Sequence, residues 1–524
     1  MKKSAAAATI LLARALYSAA HIEERFEEPT SQILETPFLG QHVGLAIFDI
    51  NNDGAPDLLF AAGRHWVDQS YALINLGPVF NTDGDFEGLK FSAALPIGPP
   101  GGYYQIDAAP SSRTTLSSDN GSHHTMVLLV GGTCHDDTPT QYGSCVMGEN
   151  TPARLLEVGV SDGCNIQNPD VECMLEWELV WEDSHARGDR NGGFAYFQNS
   201  VHPSIALLGQ GGVEIYHHPY QQVKSSLVDM NDDDFRIPAP TKIDPRSDFS
   251  RYAGFASSKT LLGGAIAAGR RSDYDPPQVD SKGRVKRLNL LVYKDQQSSS
   301  SSPSTFETYF LPSNISGEPY PGNTSISIQS TNYQFDDIDG DGVEDLLEAT
   351  FLYSSQRVRG HPLPQRIHFL NGKGHVKKTL VVHQSEEGDA GRSVTTGQIF
   401  SDSVLPDVVF ASAKGIVTVF ANLGVDESGA FRGLEQRHQF SAKNPQCQVR
   451  DVAVVRMAQS DGDNECWIGL VTAVACPFEK PKPKFLGENE IFYIKGSCEG
   501  ENSAISRIND WTGQEVIRET IETG

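Results

Sequence analysis

Aspartates at 337, 339, 341 and 345 stand two residues apart and then four, in the stretch Phe335-Asp-Asp337-Ile-Asp339-Gly-Asp341-Gly342-Val-Glu-Asp345-Leu346-Leu347. In a tight loop this spacing turns the carboxylate oxygens inward around one hard cation. Gly342 follows the third aspartate, where the backbone bends sharply and a side chain would obstruct it. Without a cation the clustered carboxylates would repel one another, so a plain solvated acidic turn competes poorly. A second copy reads Phe48-Asp49-Ile-Asn51-Asn-Asp53-Gly54-Ala-Pro56-Asp57-Leu58-Leu59-Phe60. Both copies share a Phe, one residue or none, then D-x-[DN]-x-D-G-x-x-D-L-L and an apolar run.

The expected ligands of one ion are Asp49, Asn51, Asp53 and Asp57 through their side chains and Ala55 through its carbonyl. Those of a second ion are Asp337, Asp339, Asp341 and Asp345, with the Val343 carbonyl. An all-oxygen set on a flexible loop suits calcium, at about 2.3–2.6 Å, better than the smaller, octahedral magnesium. The second loop carries four carboxylates and the first carries three, so tighter binding is expected at the second. Such sites fix a loop and the strand behind it rather than activate water, because the protein supplies most of the ligands.

An EF-hand also fits the second copy, with Glu348 at the twelfth position. That motif needs a helix on either side. The segment from Pro321 to Tyr333 alternates apolar and polar residues instead, as a strand does. In the first copy the twelfth position is Phe60, and Pro56 opposes a helix continuing from the loop. Strand, cation loop and strand is the reading that serves both copies.

With those residues the chain resembles the FG-GAP (VCBS) repeat of integrin α-chain propellers and related secreted proteins. The resemblance implies a β-propeller in which each loop joins neighbouring strands of a blade and binds calcium. The elements that must position the loops are short apolar runs broken by small-residue turns. That cadence recurs through Met126–Val130, Ile205–Leu208, Leu261–Gly269, Leu346–Thr350, Val408–Ala411 and Trp467–Thr472. One sheet of four short strands per unit, closed in a ring, removes the exposed edges of a linear array. The expectation is an all-β fold, a single seven-bladed β-propeller over residues 21–524. Blades are expected at about 41–100, 101–160, 190–220, 250–295, 330–375, 395–425 and 450–498, the long repeat period being the signal. Inner strands are expected near residues 47, 126, 205, 261, 335, 398 and 453. The serine-rich stretch 295–303 reads as an inter-blade loop. Segments 21–40 and 500–524 are expected to help close the ring.

The 524 residues carry a formal net charge of −25, which argues against nucleic acid and anionic membrane surfaces as partners. Residues 1–20 have a basic start, a short apolar stretch and small residues at Ser18 and Ala20, and read as a signal peptide interrupted by Arg14. No later segment is apolar for long enough to span a bilayer. Eight cysteines without a CxxC fit an oxidising compartment and give no support to a zinc site. Cys134–Cys145 and Cys164–Cys173 are expected as local staples, whereas Cys447, Cys466, Cys476 and Cys498 allow three pairings. Sequons at Asn120, Asn314 and Asn323 lie in stretches able to carry glycans.

Asp402 and Asp407 resemble an eroded loop, expected to be empty. The carboxylates from Asp229 to Asp234 form a third cation candidate but lack a following strand in register. Arg187-Gly188-Asp189 spells an integrin-recognition tripeptide, yet with Asn191 and Gly192 it reads as ordinary turn chemistry or a worn cation loop. The expected function is a secreted, calcium-stiffened module for binding or adhesion, presenting inter-blade loops to an extracellular protein or glycan. The alternative, implied by secreted sugar dehydratases built on related propellers, is a metal-dependent lyase. A lyase needs histidines or carboxylates in one cavity, and His123, His135, His185 and His218 are the residues that would have to converge.

Overall fold

The structure is a computed structural model. It describes residues 31–34, 42–63, 66–111, 124–134, 137, 139–161, 163–165, 172–183, 191–197, 203–209, 212–216, 241–243, 251–258, 260–261, 264–271, 286–294, 305–312, 327–353, 364–384, 391–400, 404–443, 447–459, 465–476, 478–479, 482–483 and 488–497. Every named regular element in them is a β-strand. Twenty-eight of these strands form seven four-stranded antiparallel sheets.

In each of the first six sheets the four strands lie side by side in chain order, a two-stranded hairpin intervening before the fourth strand of the first sheet. Their first strands are His42–Phe48, Tyr103–Pro110, Asn191–Ala195, Arg251–Ser258, Ser327–Asp336 and Gly391–Gly397, and Gln448–Gln459 opens the seventh sheet. Each first strand packs against the first strand of the next sheet, and the seventh packs against the first, so they form a closed ring. The chain is an all-β β-propeller.

A buried apolar cluster fills each gap between neighbouring sheets. Leu156 and Val158 of the second sheet meet Leu59 and Ala61 of the first. Leu347 and Ile367 of the fifth meet Val408 and Phe410 of the sixth. The last gap is filled by Leu58 and Phe60 from the first sheet against Val471 and Ile491 from the seventh. These side chains alternate along their strands, so each sheet buries both faces.

Closure is made by the chain's two ends together. Ser31–Leu34 adds to the seventh sheet, antiparallel to Asn489–Ser497, with Gln32 opposite Ile491. A hairpin of Asn75–Phe80 and Phe86–Phe91 leaves the first sheet and reaches the same place. There the Gln32 amide donates to the Leu89 carbonyl (2.8 Å) and accepts from the Leu89 N–H (3.1 Å). The expected role of the 21–40 segment in closing the ring is met by these four residues; 500–524 lies outside the described residues.

Three expected inner strands need correction. Met126 and Ile205 lie on second strands, His124–Gly131 and Ser204–Gly209, and Leu261 lies beyond the end of Arg251–Ser258. Residue 398 is one past Gly397, while 47, 335 and 453 fall on the inner strands. The cause is burial. A second strand has partners on both edges and clusters on both faces, and Val127–Val130 are wholly inaccessible. It therefore has the strongest apolar run, whereas the innermost strand turns one face toward the axis and mixes in Gln105 and Asp107. The outer strands Leu175–Glu182, Thr241–Ile243, Thr305–Pro312 and Leu434–Ser441 extend their sheets beyond the expected ranges.

Around the axis, six of the seven inner strands carry an irregularity in register at the corresponding place. Such a bulge re-aims the residue that follows it, here Gly44, Gln105, Gly254, Asn332, Ser393 and Asp451. The Asp451 carboxylate accepts from Ser393 Oγ (2.7 Å), the Leu45 N–H (3.1 Å) and the Val452 N–H (3.0 Å). The Gln105 side chain also hydrogen-bonds to it, and Asn332 Nδ2 lies 3.5 Å away. One carboxylate thus gathers groups from five of the seven sheets.

Three disulfides, Cys134–Cys145, Cys164–Cys173 and Cys447–Cys476, staple loops or sheet ends. Among the described residues no cysteine is free. Bonds of this kind persist in oxidising compartments. Among the described residues no helix is long and apolar enough to cross a membrane. The expected signal peptide and the three sequons lie outside the described residues.

Candidate metal centre

Both predicted loops join the first strand of a sheet to its second. The first links His42–Phe48 to Asp57–Ala62 and the second links Ser327–Asp336 to Asp345–Tyr353. The flanking strands pair Phe48 with Asp57 and Asp336 with Asp345, which brings the loop's ends together.

Inside the loops, side-chain oxygens wrap successive backbone N–H groups. Asp49 accepts from the N–H groups of Asp53 (3.0 Å) and Gly54 (2.8 Å), and Asp53 from that of Ala55 (2.8 Å). In the second loop Asp337 accepts from Gly340 (2.8 Å) and Gly342 (2.9 Å), and Asp341 from Val343 (2.9 Å). The two loops are therefore the same structure built twice. Gly54 and Gly342 have φ of 88° and 81°, where an L side chain is strained. No atom lies within 4 Å of a Cβ placed on either, so backbone conformation and not space selects glycine.

The residue after the first aspartate points the other way. Ile50 and Ile338 are fully buried, Ile50 between the first and second sheets and Ile338 between the fifth and sixth. The Asn51 amide donates to the Cys164 carbonyl (2.8 Å) inside the disulfide loop of the second sheet. The Asn422 amide of the sixth sheet donates to the Ile338 carbonyl (2.9 Å). Each loop is thus wedged against the next sheet of the ring.

The last aspartate of each loop holds three strands together. Asp57 accepts from the Ile50 N–H (2.9 Å) and from the Asn75 N–H (2.8 Å) beyond the third strand. Asp345 does the same with Ile338 (3.2 Å) and Leu370 (3.0 Å). Asp407 accepts from Ile399 (2.8 Å), Phe400 (2.7 Å) and Asn422 (2.7 Å). The eroded loop of the sixth sheet has therefore kept this staple, and Asp402 lies outside the described residues. Asp57 and Asp345, expected as cation ligands, thus also act as structural staples. The signal for the staple was present in Asn75-Leu-Gly77 and Asn422-Leu-Gly424, where the same Asn also accepts from the Gly N–H at 3.0 and 2.9 Å.

Burial raises the pKa of Asp49, and it pushes the fully buried Asp57 well above the usual carboxylate range. In the second loop burial raises Asp345 to about 8 and also raises Asp339, where Asp341 adds repulsion and Lys377 opposes it. Carboxylates so placed favour a cation among them. One carboxylate oxygen from each of Asp337, Asp339 and Asp345 lies within 4.8 Å of the others. Hard oxygen donors on a loop with buried footing fit a divalent cation of the calcium type. Asp341 is brought instead to Lys377 Nζ, which also lies 3.9 Å from Asp339.

His124 opens a second strand, whereas His123, His135, His185 and His218 lie outside the described residues, as do Asp229–Asp234 and Arg187–Asp189. Asn191 and Gly192 begin the inner strand of the third sheet, so they do not belong to a worn loop. Their pairing with Leu208 and Leu207 extends the backbone where a loop would curl.

No family model matches the chain, and no curated protein matches it. Solved structures similar to it include the following three. Sqt1 of Chaetomium thermophilum, bound to the N-terminus of the ribosomal protein L10, has 10% identity over 84% of this chain and 81% of that one, with a TM-score of 0.40. BP39L lectin from Burkholderia pseudomallei has 12% identity over 84% of this chain and 96% of the other, at 0.42. BBS1N in complex with ARL6DN has 9% identity over 89% of this chain and 97% of its own, also at 0.42.

Proposed function

We propose that the chain is a secreted, seven-bladed β-propeller of FG-GAP-like repeats, stiffened by two calcium ions, that presents its inter-blade loops to an extracellular protein or glycan. Each of the seven four-stranded sheets is one blade in this reading. The observation that carries it is the gathering of Asp337, Asp339 and Asp345 around one point, beside a buried isoleucine that wedges between sheets. Asp49, Asn51, Asp53, Asp57 and Ala55 hold the first ion, and Asp337, Asp339, Asp341, Asp345 and Val343 hold the second. An ion bound there relieves repulsion among the carboxylates and ties the loop to its blade and to the next one. The gain is rigidity of a binding surface, with no step of covalent chemistry.

Calcium removal tests this directly. A chelator should lower the melting temperature of the full chain, since a ligand bound only by the folded state stabilises it. Asp341→Ala should remove more of that calcium dependence than Asn51→Ala, because it takes away a full charge. Calorimetry with and without calcium reads both. A melting curve unmoved by the chelator would mean that the loops are cation-free turns.

A further inference from the structure

The outer strand of the second sheet, Leu175–Glu182, differs from an ordinary solvated edge. Its residues Leu175, Trp177 and Leu179 alternate onto one face, opposite Val160, Val158 and Leu156 of the neighbouring strand. Leu156 and Val158 are buried between the first and second sheets. That apolar surface continues outward to Trp177 and Leu179, which are 39% and 45% exposed. The first sheet ends in an outer strand of only two residues, Leu95–Pro96, too short to cover it. By contrast, the outer strand Leu434–Ser441 of the sixth sheet shows solvent mainly Glu435, Gln436 and Gln439. Long, uncovered apolar edges are rare in monomeric proteins because they recruit further strands.

The other face of the strand is acidic. Glu176 and Glu178 are exposed there, with Glu178 opposite Glu157, whereas Glu182, past a register shift, lies opposite Arg154 and pairs with it at 2.6 Å. Among the described residues no strand pairs with the outer edge. The chain's own ends are poor occupants, since residues 21–30 carry Glu23, Glu24, Glu27 and Glu28 and the tail carries Glu515, Glu519 and Glu522. A second copy is disfavoured too, because antiparallel self-pairing sets glutamates against glutamates on a chain of net charge −25.

We propose that Leu175–Glu182 takes an extended segment of a partner protein as a fifth strand, one with apolar residues on one face and Lys or Arg on the other. Main-chain hydrogen bonds supply affinity, the Trp177–Leu179 patch receives the apolar side chains, and Glu176 and Glu178 select the basic ones. This surface is separate from the cation loops and stands whether or not they bind calcium.

The test uses the full chain and two capped eight-residue peptides, one alternating lysine with valine and the other glutamate with valine. Hydrogen exchange should show new protection of residues 175–182 with the lysine peptide only. Glu176→Lys with Glu178→Lys should weaken that peptide at least about tenfold and admit the glutamate peptide, by reversal of charge at the contact. Trp177→Ala should weaken the lysine peptide without lowering the melting temperature. A control with Glu435→Lys on the outer strand of the sixth sheet and Glu427→Lys in the turn before it should bind as the parent does. Equal loss in that control, or protection elsewhere, would reduce the effect to adsorption on an acidic protein and overturn the proposal. A concentration-dependent dimer abolished by the 176/178 reversal would assign the edge to a second copy and overturn it equally.

Discussion

Asp57, Asp345 and Asp407 show how one residue type serves two ends. Each is buried and each stitches the start of a loop to the strand beyond its neighbour. In the sixth sheet Gln398 stands where the other loops have their first aspartate, so Asp407 carries the staple without a full ligand set. Asp407→Ala should therefore destabilise the fold by on the order of 3 kcal/mol, the cost of orphaning buried N–H donors. Denaturant unfolding should give the same loss with calcium or chelator present. At the second cation loop Lys377 sits against Asp341 and within reach of Asp339. A tethered ammonium competes with a divalent ion for the same oxygens. Lys377→Met should raise the calcium affinity of this loop by roughly fivefold, as expected for a half-exposed pair. Calorimetric titration measures it, and an unchanged affinity would show that the lysine swings clear at no cost.

At the scale of the element, the bulged inner strands matter most. The bulge turns one residue per strand toward the axis, and the sheet twist brings Gln105, Asn332 and Ser393 to Asp451. Burial raises the pKa of Asp451 to about 6, against lowering by its donors. Its folded-state pKa is thus above the unfolded value near 3.8, so the native state holds the proton more tightly. The associated stability is complete below about pH 3.8 and is lost as pH rises through about 6, a change of about 3 kcal/mol for two pKa units. Asp107 has the same shift, also to about 6, with burial as its first cause, and works in the same direction. Asp451→Asn should flatten the fall in melting temperature between pH 4 and 7, and a series of calorimetric scans checks it. An unchanged pH profile would place the titration on Asp107 alone.

For the whole molecule, ring closure is the long-range event. Residues 31–34 meet residues 489–492 across almost the full chain, and the hairpin from the first sheet locks over the joint. Gln32→Ala removes two hydrogen bonds to Leu89 and the contact of Gln32 with Tyr493. It should lower the melting temperature by a few degrees, each net hydrogen bond contributing about 1 kcal/mol. Calorimetry reads the shift, and no change would mean that strand pairing alone holds the ring.

Much of this was decided by local sequence. The loop spacing at Asp49 and Asp337 specified a turn whose carboxylates wrap their own backbone, because all the partners lie within a few residues. Alternating and continuous apolar runs specified strands, and the short separations of Cys134 from Cys145 and of Cys164 from Cys173 favoured their pairing. Tertiary structure decided which strand is innermost, since that depends on which sheet face meets the axis and not on the strand's own hydrophobicity. It also decided that Lys377 reaches Asp341, that Asp407 keeps a structural task after its loop has eroded, and that Asp451 gathers five sheets. Those contacts join residues tens to hundreds of positions apart, and their energies arise only once the ring has closed.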